Sequence, residues 1–156
     1  MGRRRNATKR VLNPDPKYKS ELVERVVNGV MKQGRKTTAQ RIVYGAMAEL
    51  AEQTGKDPIE VLDAAINNMK PKVEVKSRRV GGTTYQVPVE IRPARQLALA
   101  LRWMLQYASG RRGSGMPKAV ALELLDAYNN QGNVIKKRDE THKMAQANRA
   151  FAHYAW

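Results

Sequence analysis

The chain has 156 residues, no cysteine and a formal net charge of +15 at pH 7. This length suits a single domain with a core of its own, and the lack of cysteine excludes disulfides and thiolate metal sites. So large a positive excess repels itself unless a polyanion offsets it, which favours a polyanionic partner.

The charges are segregated along the sequence. Seven Lys or Arg residues and one acid precede Ser20, whereas five acids and one lysine lie between Glu49 and Asp63. Six basic residues and no acid lie between Ile91 and Leu122. One side of the molecule is therefore expected to be strongly positive, as in proteins that bind nucleic acid.

The amino-terminal segment, MGRRRNATKR, has no apolar region behind it, so we do not expect a signal peptide. No apolar run approaches the roughly 18 residues that a membrane-spanning helix needs. A cytoplasmic protein is the simplest interpretation. Residues 1–19 lack apolar periodicity and contain Pro14 and Pro16, which predicts a basic, extended N-terminal arm.

Two helices are predicted after this arm. The first begins after the capping residue Ser20 and ends near Gly34, and the second runs from about residue 37 to 53, with Gly55 just beyond its end. A third helix begins at Asp57-Pro58-Ile59-Glu60, a capping box with proline at the first helical position, and stops before Pro71.

Residues 72–91 contain the only part of the chain that reads as strand. Two runs of alternating apolar and polar residues flank Gly81-Gly82, which predicts an antiparallel β-hairpin. A two-residue turn there would place Val75 opposite Pro88 and mix the two faces, so we predict a three-residue loop or a bulge. Pro88 cannot donate to a ladder, which suits a ribbon with free edges.

Three further helices are predicted after the hairpin. The fourth begins at Pro93, and its apolar stripe comprises Leu97, Leu101, Met104, Leu105 and Ala108. A flexible basic loop, 110–115, leads to a fifth helix that begins at Pro117 and ends at Gly132. The last helix is expected to begin near Lys136 and to reach the C-terminus, with Met144, Ala147 and Phe151 facing inward. The fold class is therefore mainly α: a single domain, 1–156, of about six helices with a protruding two-stranded antiparallel β-hairpin.

The sequence gives little support to catalysis. The two histidines, His142 and His153, lie about three turns apart on the last predicted helix, and no metalloprotease, P-loop or nucleophile-elbow motif occurs. We expect no enzyme, no metal and no cofactor.

Three segments closely resemble the bacterial small ribosomal subunit protein seven family: RRVGGTTYQVPVEIRP (78–93), LALRWM (99–104) and THKMAQANRAFAHYAW (141–156). The resemblance extends over nearly the whole chain in the same order. It implies a protein that binds small-subunit ribosomal RNA directly and nucleates folding of the subunit head. It also implies a hairpin near the tRNA exit site and the mRNA exit path, with the ninth and eleventh small-subunit proteins as neighbours.

Two groups of residues are candidates for these contacts. The first group would contact ribosomal RNA, largely through phosphates: Arg3, Arg4, Arg5, Lys9, Arg10, Lys32, Arg35, Lys36, Lys72, Lys76, Arg92, Arg95, Arg102, Arg111, Arg112 and Lys118. The second group would lie near tRNA and mRNA: Arg78, Arg79, Gly81, Gly82, Tyr85, Lys136, Lys137 and Arg138. The alternative is an architectural DNA-binding protein whose hairpin enters a groove.

Overall fold

The computed structural model describes residues 11–154 and confirms a mainly α fold with one hairpin. The chain forms α1 (Glu21–Val30), α2 (Lys36–Thr54), α3 (Pro58–Met69), β1 (Val73–Val80), β2 (Thr83–Glu90), α4 (Pro93–Gly110), α5 (Met116–Tyr128) and α6 (Gly132–Ala147). A 3₁₀ helix, Arg149–Tyr154, follows α6. The two strands form an antiparallel ribbon that pairs only with itself among the described elements.

Helix α5 is the centre of the helical domain, since it packs against α2, α3, α4 and α6. Its residues are apolar on more than one side, and those that are buried include Ala119, Val120, Ala121, Leu124 and Ala127. A helix that is buried on several faces must occupy the middle of a bundle. Small residues allow α2 and α5 to approach each other closely. A Cβ added to Gly45 of α2 would lie only 3.2 Å from the Pro117 Cβ of α5, which is closer than most Cβ contacts.

The helix termini follow the predicted capping signals in part. Asp57 accepts a hydrogen bond from the Ile59 N–H at 3.0 Å, and Gly55 ends α2 in the left-handed conformation, as predicted. Helix α1 ends at Val30 rather than near Gly34, because a turn with positive φ at Gln33 and Gly34 leads into α2.

The last helices differ from the prediction in their boundaries. Gly132 is the first residue of α6, not the last residue of α5, and α6 ends at Ala147 well before the C-terminus. The inward face of α6 was also predicted wrongly, since Met144 is 49% exposed and Ala147 is exposed. The buried residues of α6 are Val134, Ile135, Thr141 and Ala145.

The apolar stripe of α4 is rotated from the predicted one. Met104 and Ala108 are buried as expected, together with Leu99 and Ala100. The leucines at 97, 101 and 105 are only partly buried and line shallow grooves beside α1. This side of α4 therefore presents apolar surface as well as arginines.

The register of the hairpin contradicts the predicted loop. Val80 pairs with Thr83 across a two-residue turn, so Val75 lies opposite Pro88. Both turn glycines have positive φ (57° and 89°), as a type I′ turn requires, and this turn suits the twist of the strands. The Ile91 N–H donates to the Lys72 carbonyl at 3.0 Å. Hydrogen-bonded and non-hydrogen-bonded pairs alternate along an antiparallel ribbon, so the pair of Val75 and Pro88 is a non-hydrogen-bonded one, in which Pro88 needs no N–H donor.

The end of the N-terminal arm is fixed to the core by Asp15. This side chain is 1% exposed and accepts hydrogen bonds from the Lys17 and Tyr18 N–H groups and from the Tyr44 hydroxyl, the last at 2.7 Å. Burial, followed by the hydrogen bond to Asp15, raises the pKa of Tyr44 to about 12. Residues 16–18 therefore form a turn instead of continuing the extended arm.

Candidate nucleic-acid interface

The base of the hairpin is joined to α4 by an ion pair between Glu74 and Arg95. The Arg95 Nε and Nη2 donate to the two carboxylate oxygens at 2.9 Å each, and the Lys76 Nζ lies 3.3 Å from Oε1. The Glu74 side chain is 12% exposed, whereas that of Arg95 is 52% exposed. The hydrogen bond from Arg95 lowers the pKa of Glu74, and the same bond raises the pKa of Arg95. Arg95 therefore has one edge fixed to protein and the rest open to solvent.

Exposed cations from the turn between α1 and α2 and from α4 lie around the grooves between α1, α2 and α4. Lys32 and Arg102 line one groove of about 220 Å³, with Leu105 and Met116 also on its wall. Lys32 and Arg35 line an adjoining cavity of about 550 Å³ at the start of α2. The structure thus brings Lys32, Arg35 and Arg102 onto one side, although the sequence separates Lys32 and Arg102 by 70 residues.

The other cations that were predicted to contact ribosomal RNA are either paired with an acid or exposed to solvent. Lys36 pairs with the buried Glu24 at 2.6 Å. Four are exposed: Lys72, Arg92, Arg112 and Lys118. The predicted contacts Arg3, Arg4, Arg5, Lys9 and Arg10 lie outside the described residues.

Arg111, at the C-terminal end of α4, is fixed by two acids of α5 rather than lying free in a flexible loop. It donates to Glu123 at 2.7 Å and also pairs with Asp126, and its side chain is 30% exposed. The Glu123 side chain is 1% exposed, so its charge needs this partner. The hydrogen bond that Arg111 donates to Glu123 raises the pKa of Arg111. Arg111 is thus already paired with protein, and the exposed Arg112 is the cation that this loop presents.

The tip of the hairpin presents charge but not the tyrosine ring. Arg79, Gly81 and Gly82 are exposed, and Arg78 is partly buried. Tyr85 packs against Phe151 and Tyr154 of the 3₁₀ helix, with ring centroids 5.3 and 5.1 Å away. The ring of Tyr85 is therefore covered by the end of the chain.

The cations of α6 are not equivalent. Lys136 is exposed, and Lys137 lies 3.8 Å from Glu140. Arg138 is 21% exposed and donates to the Asn68 carbonyl and to Asp139. Of the three, Lys136 is the most available to a partner.

His142 links α6 to the base of the hairpin. Its Nε2 accepts a hydrogen bond from the Lys72 N–H at 2.9 Å, which requires the neutral ring. Burial lowers the pKa of His142, and the nearby charge of Arg138 lowers it further. Both histidines were predicted to share one helix, but His153 lies in the 3₁₀ helix.

Sequence patterns did not identify the acids that organise this surface. Four acids are largely buried and hold cations or backbone donors: Glu74, Glu24, Glu123 and Asp15. The one sequence feature that could have drawn attention to Glu74 is that it is an acid within a strand that is otherwise basic. Its partner on α4 is 21 positions away, and only the fold shows that pairing.

Within residues 11–154, no group of three or more acids or histidines is arranged to hold a metal ion. The helices in that range also lack the length and apolarity needed to cross a membrane. The described surface is a set of cations carried by a helical scaffold.

Comparison with known proteins assigns this basic scaffold to the ribosomal proteins. The family model described as ribosomal protein S7p/S5e matches residues 2–149. Three relatives named small ribosomal subunit protein uS7 come from Thermodesulfovibrio yellowstonii, Thermomicrobium roseum and Geobacter sp. (strain M21). They are 55%, 54% and 53% identical over 156 residues, with all of each chain covered. The chain therefore belongs to the ribosomal protein S7p/S5e family.

Family membership confirms several expectations from the sequence. The chain is a ribosomal protein of the small subunit, located in the cytoplasmic ribosome. Its relatives are structural ribosomal proteins and not enzymes, so the prediction of a non-catalytic role is confirmed by the family.

Proposed function

We propose that the chain binds small-subunit ribosomal RNA directly and organises the junction around which the subunit head folds. The observation that carries this proposal is the convergence on one side of the domain of Lys32 and Arg35, in the turn between α1 and α2, with Arg102 of α4. The matched family and the net charge of +15 support it.

The binding mechanism follows from the kinds of group on this surface. Cations that neutralise phosphates release counterions, so affinity should fall steeply with salt concentration. A-form RNA hides its base edges in a deep, narrow groove, so recognition should depend on shape, 2′-hydroxyls and unpaired bases. The partly buried leucines of α4 offer apolar contact for sugars or unstacked bases beside the arginines.

The finer assignments extend this proposal to the hairpin and α6. The exposed Arg79 at the tip and Lys136 on α6 would lie near the exit-site tRNA and the mRNA exit path. The ninth and eleventh small-subunit proteins would be neighbours in the assembled head. These placements rest on the family resemblance together with the exposure of the two cations.

A competition experiment tests the central proposal. The protein is bound to a labelled ribosomal RNA fragment from the head junction, and unlabelled duplex DNA or the same RNA fragment is added at one fixed salt concentration. We expect the RNA to compete far better than the DNA, because the contacts are set by RNA shape. Equal competition by duplex DNA would favour the architectural DNA-binding alternative and overturn the proposal.

A further inference from the structure

Glu74 is an acid that lies between Arg95 and Lys76, two cations that we propose contact a polyanion, and its position needs an explanation. A carboxylate there repels phosphate, and its 12% exposure adds a desolvation cost. The other acid of the hairpin, Glu90, is exposed and lies on the opposite face, because it pairs with Val73 whereas Glu74 pairs with Val89. Of these two acids, Glu74 is therefore the one that meets Arg95 of α4.

The contacts of Glu74 fix the guanidinium of Arg95. Of the five N–H donors of an arginine, the carboxylate engages one on Nε and one on Nη2, which leaves three (5 − 2) for another partner. An unrestrained arginine would lose side-chain entropy on binding phosphate, and a side chain already held in one orientation loses less. The planar guanidinium can meet a carboxylate on one edge and a phosphate on another, which a lysine cannot do.

The local charge remains positive despite the carboxylate. Arg95 and Lys76 both pair with Glu74, so the cluster carries two positive charges and one negative, a net +1. The cluster can thus attract phosphate while its geometry is held by the acid.

We infer that Glu74 is a positioning residue of the RNA interface, which holds Arg95 in the orientation that receives a backbone phosphate at the junction of the hairpin and α4. This inference rests on the proposed RNA-binding function. It makes a prediction opposite in sign to simple electrostatics: removing this negative charge should weaken binding to a polyanion.

The test compares Glu74→Gln with the matched control Glu90→Gln, which removes the same charge from the other face of the same hairpin. Dissociation constants for the head-junction RNA fragment are measured over a range of salt concentrations. We expect Glu74→Gln to bind about tenfold more weakly with a shallower salt slope, whereas Glu90→Gln should bind as tightly as the parent or slightly more tightly. In an Arg95→Gln background, Glu74→Gln should have little further effect.

Hydrogen exchange of the hairpin amides separates positioning from a merely structural role. We expect the Glu74→Gln hairpin to keep its protection, because its rungs and the buried Val87 remain. Binding of Glu74→Gln that equals or exceeds that of the parent would overturn the inference, as would weaker binding that occurs only with loss of hairpin protection. If the parent protein itself fails to prefer the RNA fragment, the proposed function fails and this inference fails with it.

Discussion

The ring of Tyr85, on the second strand of the hairpin, lies against the ring of Phe151 in the C-terminal 3₁₀ helix, with centroids 5.3 Å apart. Tyr154 covers the same tyrosine at 5.1 Å. The hairpin is therefore held at two levels, by this aromatic cluster along its length and by the hydrogen bond from the Lys72 N–H to His142 at its base. An isolated two-stranded ribbon is marginal in water, so these contacts explain how it keeps its shape.

The first prediction removes the aromatic support. Phe151→Ala should lower the free energy of unfolding by about 1–2 kcal/mol, since a partly buried ring and its aromatic pairing are lost. Hydrogen exchange of the β1 and β2 amides should become faster, while the helical amides keep their protection. Met144→Ala is the control, because that large apolar side chain is 49% exposed. Unchanged exchange in the hairpin of Phe151→Ala would show that the C-terminal helix does not support it.

The second prediction concerns Arg102. Charge reversal, Arg102→Glu, should weaken binding to the head-junction RNA by about tenfold or more at moderate salt while leaving the unfolding midpoint unchanged, because the side chain is exposed. Arg102 is a better choice than Arg95, since a glutamate at 95 would face Glu74 and disturb the base of the hairpin.

Lys143→Glu supplies the matched control for net charge, because Lys143 is exposed on α6. If both variants lose affinity equally, the effect is one of total charge and Arg102 makes no specific contact.

Features encoded by neighbouring residues could be predicted from the sequence. The cap at Asp57, the left-handed Gly55 and the alternating strands depend on local chemistry, and the structure contains all three. The hairpin register was predicted wrongly, because a single apolar face was expected to fix the pairing. A two-stranded ribbon has no continuous core beneath it, so the conformational preference of Gly81-Gly82 decides the register instead.

Pairings between distant segments could not be predicted. The partner of Arg95 is set by the angle at which the hairpin leaves the domain, and the covering of Tyr85 depends on α6 ending at Ala147. The inward face of α4 was also ambiguous, because its alanines make several stripes look equally apolar. The number of cations was clear from composition, but which of them remain available depended on the positions of buried acids such as Glu123.

The third prediction concerns residues 1–10. Deleting them removes five basic side chains, so the salt dependence of RNA binding should become shallower by up to about 0.9 per lost phosphate contact on the duplex DNA scale. The domain should stay as stable as before, because the anchor between Asp15 and Tyr44 lies beyond the deletion. Binding is measured at four or more salt concentrations for both proteins. An unaltered slope would mean that this segment does not contact phosphate.

The fourth prediction concerns pH and His142. Its lowered pKa means that, as pH falls below about 6.5, the unfolded chain takes up this proton before the native protein does. The contribution of His142 to stability is therefore present above that pH and is lost as pH falls through the native pKa. Protonation of His142 would also break the hydrogen bond that its ring accepts from the Lys72 N–H. The positive charges of Arg138 and Lys72 oppose this protonation, whereas the negative charge of Asp139 favours it.

Urea unfolding between pH 5 and 7.5 measures this effect. His142→Gln keeps an acceptor that does not titrate, so it should lose less stability on acidification than the parent. His153→Gln should follow the parent, since that ring is exposed. A native pKa of His142 at or above 6.5, measured by NMR titration, would contradict the prediction.

The fifth prediction separates the tip of the hairpin from its scaffold. Deleting Arg79, Val80, Thr83 and Thr84 while keeping Gly81-Gly82 shortens the ribbon by two rungs and preserves its register and its turn. Tyr85 keeps its contacts with the C-terminal helix, so the domain should remain folded. RNA binding and head assembly should largely survive, because Lys32, Arg35 and Arg102 remain.

Handling of tRNA and mRNA at the exit site should then suffer, because the proposal assigns the tip to that location. Small subunits rebuilt with the shortened protein are compared with the parent for retention of deacylated tRNA and for maintenance of reading frame. Arg79→Gln is the control that removes the charge but keeps the length of the hairpin. A defect seen only with the deletion would therefore show that the length of the hairpin, and not the charge of Arg79, is what matters. Since a tip that served assembly would act before translation begins, ribosomes that form poorly but translate normally once formed would contradict the assignment.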